Sequence, residues 1–197
     1  MGDILSDRDL DILFRHARTP RVWLDKPVTD VQLRALYELM SLAPTALNCG
    51  PARIVFAHSQ DARDQLAECV SGSNKDRVRA CGAVAIIGQD EAFYDKLPEL
   101  FPHMPTARDM FAGNAALTQE TILRNSSLQG AYLIMAARSL GLDCGPMSGF
   151  DAAKVDAAFF EGTTIKTNFI CCLGYGDDSA LHPRLPRLSF EDACQIR

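Results

Sequence analysis

A single-core domain of helices and strands is the fold class that the sequence predicts, and three observations carry that expectation. The chain has 197 residues, enough for one well-buried core and too few for two independent ones, so residues 1–197 are expected to form one domain. Apolar residues recur at helical spacing in five stretches, 5–17, 29–42, 61–70, 115–140 and 152–160. Between them lie three short apolar runs, 54–57, 83–88 and 168–173, whose length suits buried strands.

Taken in order, the 5–17 helix runs into ARTPRVW, where Arg18, Thr19 and Arg21 crowd ahead of Trp23. Two guanidinium forks and a hydroxyl suit a doubly charged phosphate; a solvated basic turn is the plainer alternative. The 29–42 helix carries the strongest start signal, a capping box of Thr29 and Gln32 ahead of the stripe Val31, Leu33, Leu36, Leu39 and Met40. Pro44, Gly50 and Pro51 then force a loop that offers Thr45 and Asn48 as polar groups. After the 61–70 helix, SGSNKDRVRAC brings Asn74 and Arg77 to the threshold of the second strand. Helix capping by Asn74 and an ion pair of Arg77 with Asp76 are the structural alternatives there.

The aromatic and proline-rich run 93–105, with Phe93, Tyr94, Phe101 and His103, reads as an irregular excursion that packs or shapes a pocket. The 115–140 stretch is apolar all round, as in a central helix covered by other elements or a second subunit, with breaks possible near Asn125 or Gly130. Gly141 is placed to stop it in a left-handed conformation. Gly145, Pro146, Ser148 and Gly149 follow as a bare-backbone loop suited to a flat heteroaromatic ligand, and Asp151 reads as the N-cap of the 152–160 helix. The tail carries Arg184 and Arg187, three apart.

Composition narrows the function. A net charge of −5 lacks the basic field that nucleic acid or a membrane surface requires. Residues 1–11 are polar and acidic, unlike a signal peptide, and no apolar run matches a membrane span, so a cytoplasmic location is expected. The seven cysteines are odd in number and form no C-x-x-C pair, which suits reduced thiols acting as small hydrophobes. The four histidines are scattered, and no metal is expected. Ser148 sits one place off a nucleophile elbow and follows a helix and loop; Gly174-x-Gly176 lacks the third glycine of a dinucleotide fingerprint; no Walker loop is present. Arginines at both chain ends, with no catalytic side chain in evidence, point to a cofactor that brings its own chemistry.

The ordered set ARTPRVW, APTALNCGP, SNKDR, GLDCGPMSGFD, NFICCLGYGD and RLPRLSFED, spread over nearly the whole chain, resembles the FMN-dependent nitroreductase superfamily. The strings NCGPARIVF, RNSSLQGAYLI, GPMSGFD and RLPRLSFEDA are similar to its RutE/HadB branch of malonic semialdehyde reductases. The resemblance implies an α+β fold, a mixed sheet flanked by helices in an intertwined homodimer with FMN at the interface. It also implies NADH or NADPH as hydride donor and, as substrate, a short semialdehyde such as malonic semialdehyde, reduced to 3-hydroxypropionate in pyrimidine degradation. Broad nitroarene or quinone reduction and flavin binding without turnover are the alternatives, with a thiol sensor at Cys49 or Cys171–Cys172 as a further one.

Residue by residue, the resemblance assigns Arg18, Thr19 and Arg21 to the phosphate and ribityl groups, and Arg184 and Arg187 to the phosphate. Pro44, Thr45 and Asn48 fall in the loop beside the flavin, and Asn74 and Arg77 at its pyrimidine edge. Pro146, Met147, Ser148 and Gly149 fall behind the ring, with an amide reaching N5. Apart from the resemblance, an acidic substrate needs a cation for its carboxylate, and Arg108 and Arg124 are candidates for it. Three departures stand out: Ala17 precedes Arg18 where a second cation is usual, Gly50 replaces the glutamine of Asn-x-Gln-Pro, and Ser148 replaces a frequent glutamate.

Overall fold

A computed structural model of the chain describes residues 3–197; Met1 and Gly2, which open the polar stretch weighed above as a leader, lie outside the described residues. In chain order the elements are α1 (Asp7–Leu10, continued by a wider helical turn over Asp11–Arg15), α2 (Asp30–Met40), β1 (Ala52–Ala57), α3 (Gln60–Ala67), α4 (Asn74–Ala80) and β2 (Ala83–Asp90). They continue as α5 (Leu97–Leu100), α6 (Ala107–Ala112), α7 (Ala115–Ser139), β3 (Asp143–Met147), α8 (Ala152–Phe159), β4 (Ile165–Gly174) and α9 (Phe190–Ala193).

The four strands make one sheet in the order β1-β2-β4-β3, and every pairing is antiparallel. Within one chain the expected α+β layering is therefore present, but the sheet is not mixed. Strand β2 is buried on both faces, which is why it reads as an uninterrupted apolar run. Val84 and Ile86 join Ile170 and Cys172 against Leu66, Val78 and Val155 of α3, α4 and α8. Ala83, Ala85 and Ile87 join Cys171 and Leu173 against Leu33, Leu36, Leu133 and Ala137 of α2 and α7. The period-two alternation thus feeds two helical layers from one strand.

Local signals set the helix ends. The Thr29 hydroxyl accepts from Gln32 N at 3.3 Å while Gln32 Oε1 accepts from Thr29 N at 3.0 Å, the reciprocal cap that starts α2. Asp151 caps α8 by accepting from Lys154 N at 3.2 Å. Gly141, with φ of 75°, ends α7 in the left-handed region.

Tertiary contacts decide three further expectations, two of them against the sequence reading. Helix α7 runs unbroken for 25 residues. Asn125 satisfies itself by donating to Thr121 O at 2.8 Å, and Gly130 is the seat of the Phe169 ring, which a Cβ there would meet at 2.4 Å. The 93–105 run is partly structural: Phe93 and Leu97 are sealed with Phe111 and Ile122 in a third apolar cluster, with the Phe93 and Phe111 rings edge-on at 5.0 Å. The 145–149 loop is in its first half an edge strand, where Pro146 is tolerated because an edge position need not donate. Among the described residues, no helix is long and apolar enough to cross a membrane.

Candidate functional site

The tail folds back over the segment that follows α1. Arg184 donates to the carbonyls of Arg15 and Ala17, the latter at 3.0 Å; Arg18 donates to His182 O, and Arg21 reaches the His182 ring. These contacts close a cleft of about 440 Å³ into which both chain ends bring cations. Arg18, Thr19, Arg21, Arg184 and Arg187 line it together, so the two arginine clusters meet in space as expected. Two residues that the sequence did not single out, Arg138 and His182, line it as well.

Five guanidiniums therefore share one cleft with no carboxylate on its walls. Among the described residues none of the five makes an ion pair, whereas Arg15, Arg53, Arg79, Arg108 and Arg124 each hold an aspartate or glutamate. In a protein of net charge −5, such a concentration of unneutralised positive charge is costly unless an anion shares it. A solvated basic turn does not explain the arrangement, because the cations converge from residues far apart in the chain.

Arg21 also lines an adjoining cleft of about 380 Å³ with Trp23, Ser73, Asp76 and Arg77. Arg77 does not pair with Asp76. Its Nη2 donates to Pro20 O at 2.9 Å and lies under β3, where a Cβ on Gly145 would stand 3.3 Å from both that nitrogen and the Trp23 ring. Among the described residues, Arg77 Nε and Trp23 Nε1 are buried donors without a partner. Asn74 does not cap α4; its Nδ2 lies 2.8 Å from where a Cβ of Gly149 would sit, and the Gly149 carbonyl accepts from Ser71 N at 3.2 Å. Asn74, Arg77 and the Pro146–Gly149 turn thus form one neighbourhood, with Pro146 and Ser148 exposed. Met147 instead turns its side chain into the core beside Trp23 and Val70.

The remaining assigned residues lie elsewhere in the chain. Pro44, Thr45 and Asn48 belong to a loop pinned near the middle of α7, where Asn125 Oδ1 accepts from Ala46 N at 2.8 Å. Thr45 Oγ1 accepts from Gly50 N at 3.1 Å and Asn48 Nδ2 donates to Leu100 O at 2.9 Å. Leu47 and Asn48 both have φ of 51°, a costly conformation for leucine that surrounding contacts must enforce. Asn125 and Arg138 are separated by roughly 20 Å at 1.5 Å rise per residue, so within one chain this loop is not part of the basic cleft. Arg108 and Arg124, considered for a substrate carboxylate, already hold Asp95 at 2.8 Å and Glu120 respectively.

Donor chemistry decides what these clefts fit. A phosphomonoester matches the cations and the Thr19 hydroxyl; an acceptor-edged ring matches the guanidinium of Arg77 and the amide of Asn74 beside the turn. FMN has both parts, and the residues present suit it. Arg138 had a readable signal: it stands in the last turn of α7 with no acidic residue three or four places away, a cation explained by the helix dipole and left without a partner.

Thiol chemistry fares worse. Burial pushes the Cys49 thiol up to about 11. Contact with Cys144, then burial, raises Cys171, and contact with Cys81, then burial, raises Cys172. Adjacent in sequence, the last two face opposite helical layers. At pH 8 a group of pKa near 11 is thiolate in only about one molecule in a thousand, and the thiolate is the nucleophile. Brief iodoacetamide treatment of the native protein at pH 8 is therefore expected to label Cys194, the one exposed cysteine, with all seven labelled after denaturation. Rapid native labelling of Cys49 or Cys171, seen by peptide mass mapping, would reopen a thiol role.

Comparison with known proteins gives the family. Residues 14–176 match the model of the nitroreductase family. HadB of Ralstonia pickettii, provisionally named an NADH dehydrogenase/NAD(P)H nitroreductase, is 55% identical over 189 residues, covering 95% of this chain and 96% of its own. The fold is shared with a nitroreductase-like protein of Bacillus subtilis, YdfN, at a TM-score of 0.88 and 19% identity, covering 98% of this chain and 100% of that one. It is shared also with an Exiguobacterium sibiricum protein crystallised with FMN, at a TM-score of 0.84 and 21% identity over the full length of both chains. With the family model spanning most of the chain and a relative above half identity at nearly full length, this protein belongs to the nitroreductase family.

Proposed function

We propose that the protein is an FMN-dependent NAD(P)H oxidoreductase that reduces a short acidic semialdehyde, malonic semialdehyde to 3-hydroxypropionate, in pyrimidine degradation. The observation that carries the cofactor assignment is the carboxylate-free cleft of five unpaired guanidiniums. When bound, FMN supplies the two-electron carrier through which NADH or NADPH and the second substrate react in alternation. The chain's own contribution is binding and placement. Arg18, Thr19, Arg21, Arg184 and Arg187 hold the phosphate end; Asn74 and Arg77 provide donors at the ring's acceptor edge; the Pro146–Gly149 turn supplies a close backbone. In this reading the cofactor carries the chemistry, and catalysis rests on orientation and electrostatics.

A homodimer completes this reading. Leu123, Leu128 and Tyr132 lie exposed along α7, and Leu185, Leu188 and Phe190 lie exposed along the tail. Apolar surface of that extent marks an interface. A two-fold pairing through α7 would carry each Pro44–Asn48 loop, about 20 Å along the helix from its own cleft, toward the other subunit's. The net negative charge and the buried thiols suit a cytoplasmic location, with neither nucleic acid nor membrane as partner.

The semialdehyde rests on likeness to the RutE/HadB branch. One observation favours a generalist nitroarene or quinone reductase instead: the two arginines considered for the carboxylate are already paired. A panel assay separates the readings. Purified protein is expected to be yellow, to release FMN on denaturation and to bleach with NADH or NADPH under anaerobiosis. Oxidation of the reduced protein should then show malonic semialdehyde exceeding propanal in kcat/KM by about tenfold for each 1.4 kcal/mol of carboxylate recognition, with high salt narrowing the gap. Equal rates for the two aldehydes beside faster nitroarene turnover would establish the generalist; bound flavin that NAD(P)H does not bleach would leave a flavin-binding protein without turnover.

A further inference from the structure

We infer that Arg138 is a cofactor-positioning residue, a phosphate ligand delivered by the long helix that makes good the short side chain at position 17. The inference rests on the FMN reading above and concerns which residues hold the phosphate. Arg138 and Ala17 line the same cleft, with Arg18, Arg21 and Arg184 around them. Ala17 leaves its part of the wall without charge, and its carbonyl is taken by Arg184 at 3.0 Å.

Arg138 is half-buried, and among the described residues the one hydrogen bond to oxygen it makes runs from Nη1 to Leu13 O at 2.8 Å. A guanidinium carries five N–H donors in a planar fork. Anchoring one nitrogen on the backbone of the α1 extension aims the fork while leaving donors unspent. No carboxylate neutralises it among the described residues, unlike Arg124 of the same helix, which pairs with Glu120. A helix-end cation serving only the helix dipole would sit in solvent. This one lies in the wall of an anion cleft and is tethered to the segment that leads into Arg18 and Thr19.

Phosphate selectivity gives the test, because riboflavin has the ring system and ribityl chain of FMN but no phosphate. The apoprotein would be titrated with FMN and with riboflavin, following quenching of flavin fluorescence, at low and high salt. For the native sequence FMN should bind more tightly, with the preference falling as salt rises. Arg138→Gln, which keeps part of the stem and removes the charge, should weaken FMN by about tenfold or more, the order of one charge-assisted hydrogen bond, and leave riboflavin unchanged. Arg138→Lys should keep most of the preference, and adding Ala17→Arg to Arg138→Gln should restore part of it. Equal loss of FMN and riboflavin in Arg138→Gln would show a merely structural role and overturn the inference, as would an unaltered FMN preference. Absence of any FMN preference in the native sequence is a different failure, for it would remove the phosphate reading of the whole cleft.

Discussion

Arg184→Ala combined with Arg187→Ala is expected to abolish FMN retention while leaving the fold intact. The two guanidiniums come from an exposed tail, so their removal takes nothing from the three apolar clusters, and surface substitutions of this kind cost within about 0.5 kcal/mol. In the structure Arg184 donates to the carbonyls of Arg15 and Ala17, and Arg187 to those of Leu185 and Pro186. These are neutral acceptors that an anion readily outcompetes. Charge-assisted hydrogen bonds to phosphate are worth roughly 1.5–3 kcal/mol each, so the double variant should bind FMN about 10²–10⁴-fold more weakly. The single variants are expected to fall short of additivity, because the cations share one ligand.

Thermal unfolding with and without saturating FMN reads this directly. A ligand that binds only the native state raises the midpoint with its concentration relative to Kd. The native sequence should show a rise with FMN, and the double variant the same apo midpoint with almost no rise. A double variant that still gains the full FMN-dependent stabilisation would remove the tail arginines from the phosphate site. One whose apo midpoint collapses would show instead that the strap from Arg184 to Ala17 is structural.

What could be read from the sequence divides by the range of the interaction. The start of α2, the start of α8 and the end of α7 each rest on a signal within three residues: Thr29 with Gln32, Asp151 ahead of Lys154, and Gly141 at positive φ. Strand β3 could not be read this way, since Gly145 and Pro146 are poor strand formers and hold their place only through pairing with Cys172 and Cys171 on β4. Helix α4 has little apolar periodicity to read, since Val78 is its buried residue within seven. The cleft shows the same division. Four of its cations, Arg18, Arg21, Arg184 and Arg187, fall in two recognisable motifs, whereas the local signal at Arg138, a missing acidic neighbour, does not say where the side chain goes until the tail closes over it. Asn125, read as a break in α7, pins the Pro44–Asn48 loop instead.

Leu128→Glu with Tyr132→Glu is the variant expected to separate a dimer into folded monomers. The two residues stand one turn apart on α7, with 45% and 43% of their surface exposed, while Gln129, Gly130 and Leu133 beside them turn inward. One face of the helix therefore belongs to the chain's own core, and the other exposes Leu123, Leu128 and Tyr132 beside the Glu120–Arg124 pair. In a two-fold assembly the same patch meets itself, so two substitutions place four carboxylates in one apolar contact, at several kcal/mol of desolvation and repulsion. The folded chain itself should tolerate the change, because both side chains already reach solvent within it. Sedimentation is expected to show the native sequence as a dimer and the variant as a monomer with native circular dichroism. If the Pro44–Asn48 loop completes the neighbouring subunit's site, the monomer should also bind FMN at least tenfold more weakly, although every residue of its own basic cleft is intact. A monomer with undiminished FMN affinity would confine the site to one chain, and a variant that stayed dimeric would move the interface off this face of α7.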